Sequence, residues 1–498
     1  MRISKKQRLI KPKKKTNKGY RKVNPTIKKK SKSSKKNLSP SKNRDQKAKL
    51  QKIDKNVTDF FKRASLSELA IKTGFLIRQS KMTPFIFLYA LIMGGFGCGT
   101  SLDLLALDMN ALFKTKLTGQ AFYSRLKEKK SLVFLKSCFE SFLNLQLESS
   151  FENNYSTVFS MFNGVILEDS TVITLNERIA KTFKGSGGLA SKSALKLNWV
   201  FNICCYCAIN IELFSGSKPD QKNPEKSLKY LKKGTLIIRD LGYFSLKCFS
   251  LIEKKCAYYL SRLRKGMYIY QSKNDEEPVD IQSFFKKLTK GNNSVKTKIW
   301  LGKEERVETF LYLQKVPKWV HKMRIKQYKK RNSGKNPSSD FVIWSNYSVY
   351  ITNIPDELLI NDNLSLLEIV MEIYKIRWQI ELLFKKFKSG VKINFLKGKS
   401  PNHIRCMVYG KLISLMLCLM VLSYAASHRY KGREISLWKV TRWLVSLNRL
   451  ATAILEGTFY KLYSDLSTDF KLLSKEKRKR KTSLELLEEV LSTNCLAA

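Results

Sequence analysis

Four stretches decide the fold: NGVILED (163–169), ALKLNWVFNI (194–203), CCYCAINIELFSG (204–216) and GTLIIRD (234–240). Each is rich in Val, Ile, Leu or aromatic residues and is bounded by turn formers, the pattern of a β-strand. The Gly- and Ser-rich linker FKGSGGLASKS (183–193) separates the first two, and a lysine-rich connection precedes the fourth. A helical segment, YFSLKCFSLIEKK (243–255), and a strand-like one, AYYLSRLR (257–264), follow. Three strands in series, then alternation of strand and helix, predict a mixed α/β sheet. The tightest cysteine group, Cys204, Cys205 and Cys207, falls in the run FNICCYCAINIELF. It is read as buried strand, because no partner metal ligands accompany it.

Working outward, residues 55–150 read as helical. Within them SLDLLALDMNALF (101–113) and the helix beginning at Gly119 have the outline of a helix-turn-helix. Its second helix carries Gln120, Tyr123, Ser124, Arg125 and Lys127, so it reads either as a DNA contact or as a packing bundle. On the other side, residues 271–350 interrupt the α/β order. They are polar and basic, with strand-like runs VKTKIWL (295–301), RVETFLYLQKV (306–316) and FVIWSNYSVYITNI (341–354), and read as an inserted β-rich unit. One helix is expected over LSLLEIVMEIYKIRWQIELLFKKFKSG (364–390), closed by Gly390.

At 498 residues the chain is long enough for roughly two to four domains. Its 94 Lys and Arg against 40 Asp and Glu leave a net charge of +54, which favours polyanionic partners. The first fifty residues hold 21 of those cations and a single acid, Asp45. With few apolar residues and no period, they are expected to be a disordered arm that grips phosphates or merely solubilises. They also lack the apolar core of an export signal. Three scattered histidines, His321, His403 and His428, argue against paired-His metal sites, and ten cysteines are too sparse for a disulfide scaffold. PFIFLYALIMGGFGC (84–98) and LISLMLCLMVLSYAA (412–426) are 15 residues each, short of the ~20 that span a bilayer, and read as core helices with no membrane partner.

Chemistry concentrates on the expected 364–390 helix. At about 100° per residue, with Tyr374 at zero, Arg377, Glu381, Lys385 and Lys388 fall within about 60° of it. Ile373, Ile376, Ile380, Leu383, Phe384 and Phe387 form the adjacent apolar stripe. Asp169 and Asp240 each end an aliphatic run, where a carboxylate is held rigidly yet faces ligand. Alone, either Asp also reads as a turn or cap, and Glu381 as an ordinary salt-bridged residue. Together, three carboxylates from separate elements suit divalent cations at a phosphodiester.

The spacing Tyr374-x-x-Arg377-x-x-x-Glu381-x(6)-Lys388 resembles the YREK signature of the DDE transposases of bacterial insertion sequences, the IS-four family. LEDST and IRDLGYF resemble that family's first and second Asp motifs, and VYITNIP the segment before its Glu helix, so the resemblance spans roughly 80–430. It implies an RNase H-like α/β catalytic domain interrupted by a β-rich insertion, with an N-terminal helical domain and a helical C-terminus. Together with the charge and periodicity readings above, the divisions expected are an arm (1–54), which lies outside the resemblance, a helical DNA-binding domain (55–155), two catalytic segments (156–270 and 351–435), the insertion (271–350) and a C-terminal region (436–498) that makes dimer contacts or closes the core. The resemblance further implies two Mg2+ ions, with Mn2+ as a substitute, on Asp169, Asp240 and Glu381. With them the enzyme would nick DNA at terminal inverted repeats and join the freed 3′-hydroxyl to target DNA, in cut-and-paste transposition. Tyr374, Arg377 and Lys388 would contact terminal phosphates, with Lys385 and Arg125 as further DNA contacts. Trp300, Trp319 or Trp344 would stack on a flipped base, unless they pack in the core. The partners implied are double-stranded DNA and a second copy of the chain, in a bacterial cytoplasm at the nucleoid. Two alternatives are a catalytically silent DNA-binding descendant and a metal-dependent nuclease without strand transfer.

Overall fold

The computed structural model describes residues 40–96, 101–187, 191–219, 225–359, 365–476 and 481–491. Most of the lysine-rich arm lies outside them. The chain divides into compact units at 1–47 and 48–498. Helices come first: α1 (Pro40–Phe61), α2 (Arg63–Lys72), α3 (Pro84–Phe96), α4 (Leu102–Phe113), α5 (Gly119–Lys127), α6 (Lys129–Glu148) and α7 (Asn154–Val158). The arm expected through 54 therefore gives way to helix by Pro40. Leu50, Ile53, Val57 and Phe61, three or four residues apart, put one face of α1 into the core. The helix-turn-helix outline is present in α4 and α5, capped by Ser101 and Thr118.

The central sheet is built from β1 (Val165–Thr174), β2 (Ala194–Asn202), β3 (Cys207–Ser215), β4 (Leu236–Arg239), β5 (Tyr258–Arg262), β6 (Ile269–Tyr270), β7 (Ser294–Leu301), β8 (Val307–Lys315) and β9 (Tyr347–Thr352). Their order is β3-β2-β1-β4-β5-β9-β8-β7-β6. β1–β4 and β4–β5 are parallel and the other neighbours antiparallel. Gly234 leads into β4 at φ 74°, a left-handed conformation that favours glycine.

Several boundaries differ from the sequence reading. The cysteine group is not continuous strand: residues 203–206 form the β2–β3 hairpin turn, with Tyr206 at φ 49°, and only Cys207 begins β3. In 271–350, β7 and β8 extend the central sheet, and the unit also holds α9 (Ile281–Leu288), α10 (Lys318–Arg331) and α11 (Ser339–Ser345). FVIWS is thus helical despite its β-prone residues, because Ser338 caps the Phe341 N–H and β9 starts only at Tyr347. α8 (Leu246–Lys254) joins β4 to β5 as expected.

The Glu-bearing segment comprises α12 (Leu366–Lys375) and α13 (Trp378–Ser389), followed by α14 (Pro401–Ala426). α14 contains the apolar run 412–426 and is long and apolar enough to cross a membrane, but 94% of its most apolar window is buried inside the protein. α15 (Leu437–Val445), α16 (Arg449–Glu456), α17 (Phe459–Thr468), α18 (Phe470–Leu473) and α19 (Ser483–Leu491) complete the chain, with α15 against α14 and α19 against α12 and α7. Within the single chain the described helices of 436–491 pack against the core.

Two cores flank the sheet. Leu167, Trp199, Ile238 and Leu260 face the helical side with Ile373, Ile380 and Phe384; Ile166, Val200, Ile237 and Tyr259 face the other with Phe249. Both faces being covered, β1 and β4 need apolar residues at successive positions, which explains their unbroken aliphatic runs.

Candidate active site

The parallel ladder between β1 and β4 ends at the pair Glu168 and Arg239. Asp240 follows β4 directly, at the start of the turn Leu241–Tyr243. Asp169 does not end its strand as the sequence suggested. β1 runs on to Thr174 because residues 169–174 pair antiparallel with β2. Asp169 therefore sits where β1 loses its parallel neighbour, rigid on one edge and open on the other. By the two-residue alternation it shares the face of Leu167, and Asp240 that of Ile238, so both carboxylates point to the side covered by α13.

The segment 364–390 is not one continuous helix. A Ser365–Glu368 capping box starts α12, and at Ile376–Arg377 the chain tightens, with the N–H groups of Arg377, Gln379 and Ile380 donating to carbonyls three residues back. α13 then buries Ile380, Leu383, Phe384 and Phe387. Trp199, the β2 partner of Asp169, meets Phe387 at 5.5 Å and Phe384 at 6.1 Å between ring centres. Each such side chain is worth roughly 1.5–3 kcal/mol of burial, so this contact fixes α13 over β1 and brings Glu381 towards Asp169. Gly390 caps α13 at φ −83°, in right-handed rather than left-handed backbone. Space is what demands glycine there, since a Cβ would lie 2.7 Å from Thr441.

Arg377 is the hub. Its Nη2 lies 2.8 Å from Glu381 Oε1, its Nη1 3.8 Å from Asp169 Oδ2 and its Nε 3.9 Å from Asp240 Oδ1. The Asp169 side chain is only 18% exposed, and Ser170 N–H donates to its Oδ1 at 2.8 Å. Burial pushes the Asp169 pKa up to about 6; Ser170 and Arg377 oppose the rise, whereas Asp240 and Glu381 add to it. Burial works against the charge of Arg377 as well, but Tyr374, Asp240 and Glu381 more than offset it, and its pKa lies above the ordinary value.

Among the described residues no three Asp, Glu, His or Cys side chains close on a common point for a metal. Instead a guanidinium stands among three acids supplied by β1, the β4 turn and α13. All three offer hard oxygen donors, and three carboxylates share a single guanidinium, which leaves the cluster short of positive charge. That donor set and charge deficit suit a hard divalent cation.

The raised pKa also has a stability consequence with a definite sign. With Asp169 at about 6 against 3.8 unfolded, the folded state holds an extra proton over that window. Stability of the metal-free protein should then fall by on the order of 2–3 kcal/mol as pH rises from about 4 to 6, and stay level above. Melts in EDTA at pH 4.5 and 6.5 check this: Asp169→Asn should lose the decline, and an identical slope in variant and wild type would contradict it.

A cavity of about 1440 Å³ opens beside the acids, lined by Asp240, Arg262, Tyr374, Arg377, Trp378 and Lys385 among others. Tyr374 is buried and stacks edge-on against Tyr350 at 5.3 Å; burial pushes its pKa up to about 12. Lys385 places its ammonium 4.5 Å from the Trp378 ring centre. Lys388 is half-buried, and burial lowers its pKa.

Other sequence candidates stand elsewhere. Arg125 is turned inward, donating to the Phe75 carbonyl at 3.3 Å and pairing with Glu128 at 3.4 Å. Trp344 packs on Phe285 and Trp300 is half-buried, whereas Trp319 is 67% exposed on the cationic helix α10. Sequence reasoning missed Arg262 and Trp378. Arg262 carries no local signal, whereas Trp378 falls at about +40° on the helical wheel, an aromatic among the cations.

Residues 161–417 match the family model described as "Transposase DDE domain". The chain is 27% identical over 467 residues to the transposase for insertion sequence element IS1151 of Clostridium perfringens, covering 88% of this chain and 96% of that one. It is 26% identical over 399 residues to the transposase for IS231B of Bacillus thuringiensis subsp. berliner, covering 76% and 80%. A solved piggyBac transposase synaptic complex with hairpin DNA covers 87% of this chain at 11% identity, with a TM-score of 0.43, too low to identify a fold.

Proposed function

Because the chain belongs to the DDE-domain transposase family and is a transposase of the insertion-sequence type, we propose that Asp169, Asp240 and Glu381 form its catalytic centre for cut-and-paste transposition. The convergence of these three acids on Arg377 carries the reading. The strand order β3-β2-β1-β4-β5, antiparallel through β1 and parallel beyond it, supports an RNase H-like domain, with the strands of 271–350 as an insertion that lengthens its sheet.

Two Mg2+ ions, or Mn2+ in their place, would be held by the three carboxylates, and when bound would stabilise charge on the scissile phosphate and activate the attacking oxygen. The chain's own residues do the rest. Asp169, on a strand paired to β2, sets one fixed ligand, and Glu381, on a helix anchored by Trp199, sets a second on another element. Arg377, Lys385 and Lys388 offer cations to the phosphates of a DNA end, and Tyr374 is held by packing against Tyr350. A phosphate drawn to Arg377 would compete with the acids for its guanidinium and release their oxygens from it. The exposure of Trp319 favours it over Trp300 and Trp344 as a base-stacking residue. The proposed substrates are double-stranded terminal repeats and target DNA, bound by two copies of the chain in the bacterial cytoplasm.

Incubation of the protein with a labelled terminal-repeat fragment, target plasmid and Mg2+ tests this. Joined product is expected. Cut ends with no joined product would reduce the activity to that of a nuclease, and bound but uncut ends to that of a DNA-binding protein.

A further inference from the structure

Directly behind the two aspartates, on the opposite face of the sheet, lies a second charged network. Glu168 and Arg239 are the residues before Asp169 and Asp240, and are paired in the parallel ladder, so their side chains emerge on the opposite face of the sheet. They are 2% and 5% exposed, and Arg239 Nε lies 2.7 Å from Glu168 Oε2. Ser227 Oγ donates to Glu168 Oε2 at 2.8 Å and accepts from Arg239 Nη2 at 2.5 Å. Asn198 of β2 donates to Glu168 Oε1 at 3.0 Å and accepts the Tyr243 hydroxyl at 2.6 Å. Tyr243 belongs to the turn that Asp240 opens. One connected network thus ties together β1, β2, the end of β4 and the turn after it.

Burying an ion pair among apolar side chains is a poor route to stability, because desolvation consumes most of the attraction. Its best-attested return is register. β1 and β4 enter the pairing as Val165-Ile166-Leu167 and Leu236-Ile237-Ile238, apolar on both faces and buried on both. Such runs fit nearly as well when slipped by one residue, yet that slip would send an aspartate to the wrong face. Only the last pair, Glu168 with Arg239, distinguishes the correct alignment from its neighbours by charge.

We propose that Glu168 and Arg239, with Asn198 and Tyr243, are positioning residues that lock the β1–β4 register and so set the separation of the Asp169 and Asp240 carboxylates across the sheet. This rests on the reading of those two aspartates as cation ligands. In the full-length protein, Glu168→Leu with Arg239→Met replaces the pair by apolar residues of similar size. The double variant should keep its melting temperature and bind terminal-repeat DNA within about twofold of wild type. Its Mn2+ affinity, read by electron paramagnetic resonance on the DNA complex, should weaken about tenfold or more. Unchanged Mn2+ affinity in a folded double variant would overturn the proposal. Should that variant lose its cooperative melt, Tyr243→Phe decides: removing one hydroxyl from the network should weaken Mn2+ binding about threefold, and wild-type affinity would overturn the proposal equally. Asp240→Asn in parallel separates the two levels. If it binds Mn2+ like wild type, the ligand assignment itself fails; if it loses Mn2+ while the network variants keep it, only the positioning role fails.

Discussion

Replacing Asp240 by Asn is expected to abolish cleavage of terminal repeats while leaving end binding within a few-fold of wild type. The substitution keeps the shape of the side chain and removes the charge. Arg377 retains Glu381 and Asp169 as partners, so the walls of the cavity hold. What is lost is one of the three proposed cation ligands. Several kcal/mol of transition-state stabilisation depend on the cations such ligands hold, which corresponds to a rate loss of roughly 10³-fold or more. Strand cleavage in Mg2+, with binding followed by gel shift, checks this; cleavage near the wild-type rate would remove Asp240 from the site.

A second large effect is expected from the arm. Residues 1–39 carry 17 Lys or Arg and no acid. If about half of these neutralise phosphates, deletion of 1–39 should flatten the slope of log K against log salt by roughly 7 and weaken nonspecific DNA binding by about 10³-fold at low salt. The cut belongs before Pro40, since Leu50 and Ile53 of α1 are core residues whose removal would confound binding with folding. An unchanged salt slope would show that the arm does not touch DNA.

Much of this cluster was readable from residue type, spacing and the family resemblance that they carry. Aspartates closing aliphatic runs, and an Arg four residues before a Glu on one helical edge, are local signals, and the structure brings Asp169, Asp240, Arg377 and Glu381 together. What escaped the sequence depends on partners distant in the chain. Ser170–Thr174 continue β1 because β2 pairs with them, which no property of LEDST announces. α10 buries none of its residues, so KWVHKMRIKQYKKR has no apolar stripe to betray a helix. The hairpin turn at residues 203–206 uses a left-handed tyrosine, Tyr206, where a glycine would have been the usual marker. The break at Ile376–Arg377 carries neither Pro nor Gly, although it places Arg377 at the centre of the cluster.

Asp169, Asp240 and Glu381, from distant parts of the chain, are proposed to hold the divalent cations together. Loading the DNA complex with Fe2+ and starting hydroxyl-radical chemistry would cut the backbone next to the bound ion. Cuts are predicted near Asp169, Asp240 and Glu381 together, suppressed by excess Mg2+ and absent in Asp240→Asn. Cuts clustered elsewhere, or at these segments but indifferent to Mg2+, would mean that these acids do not hold the cations.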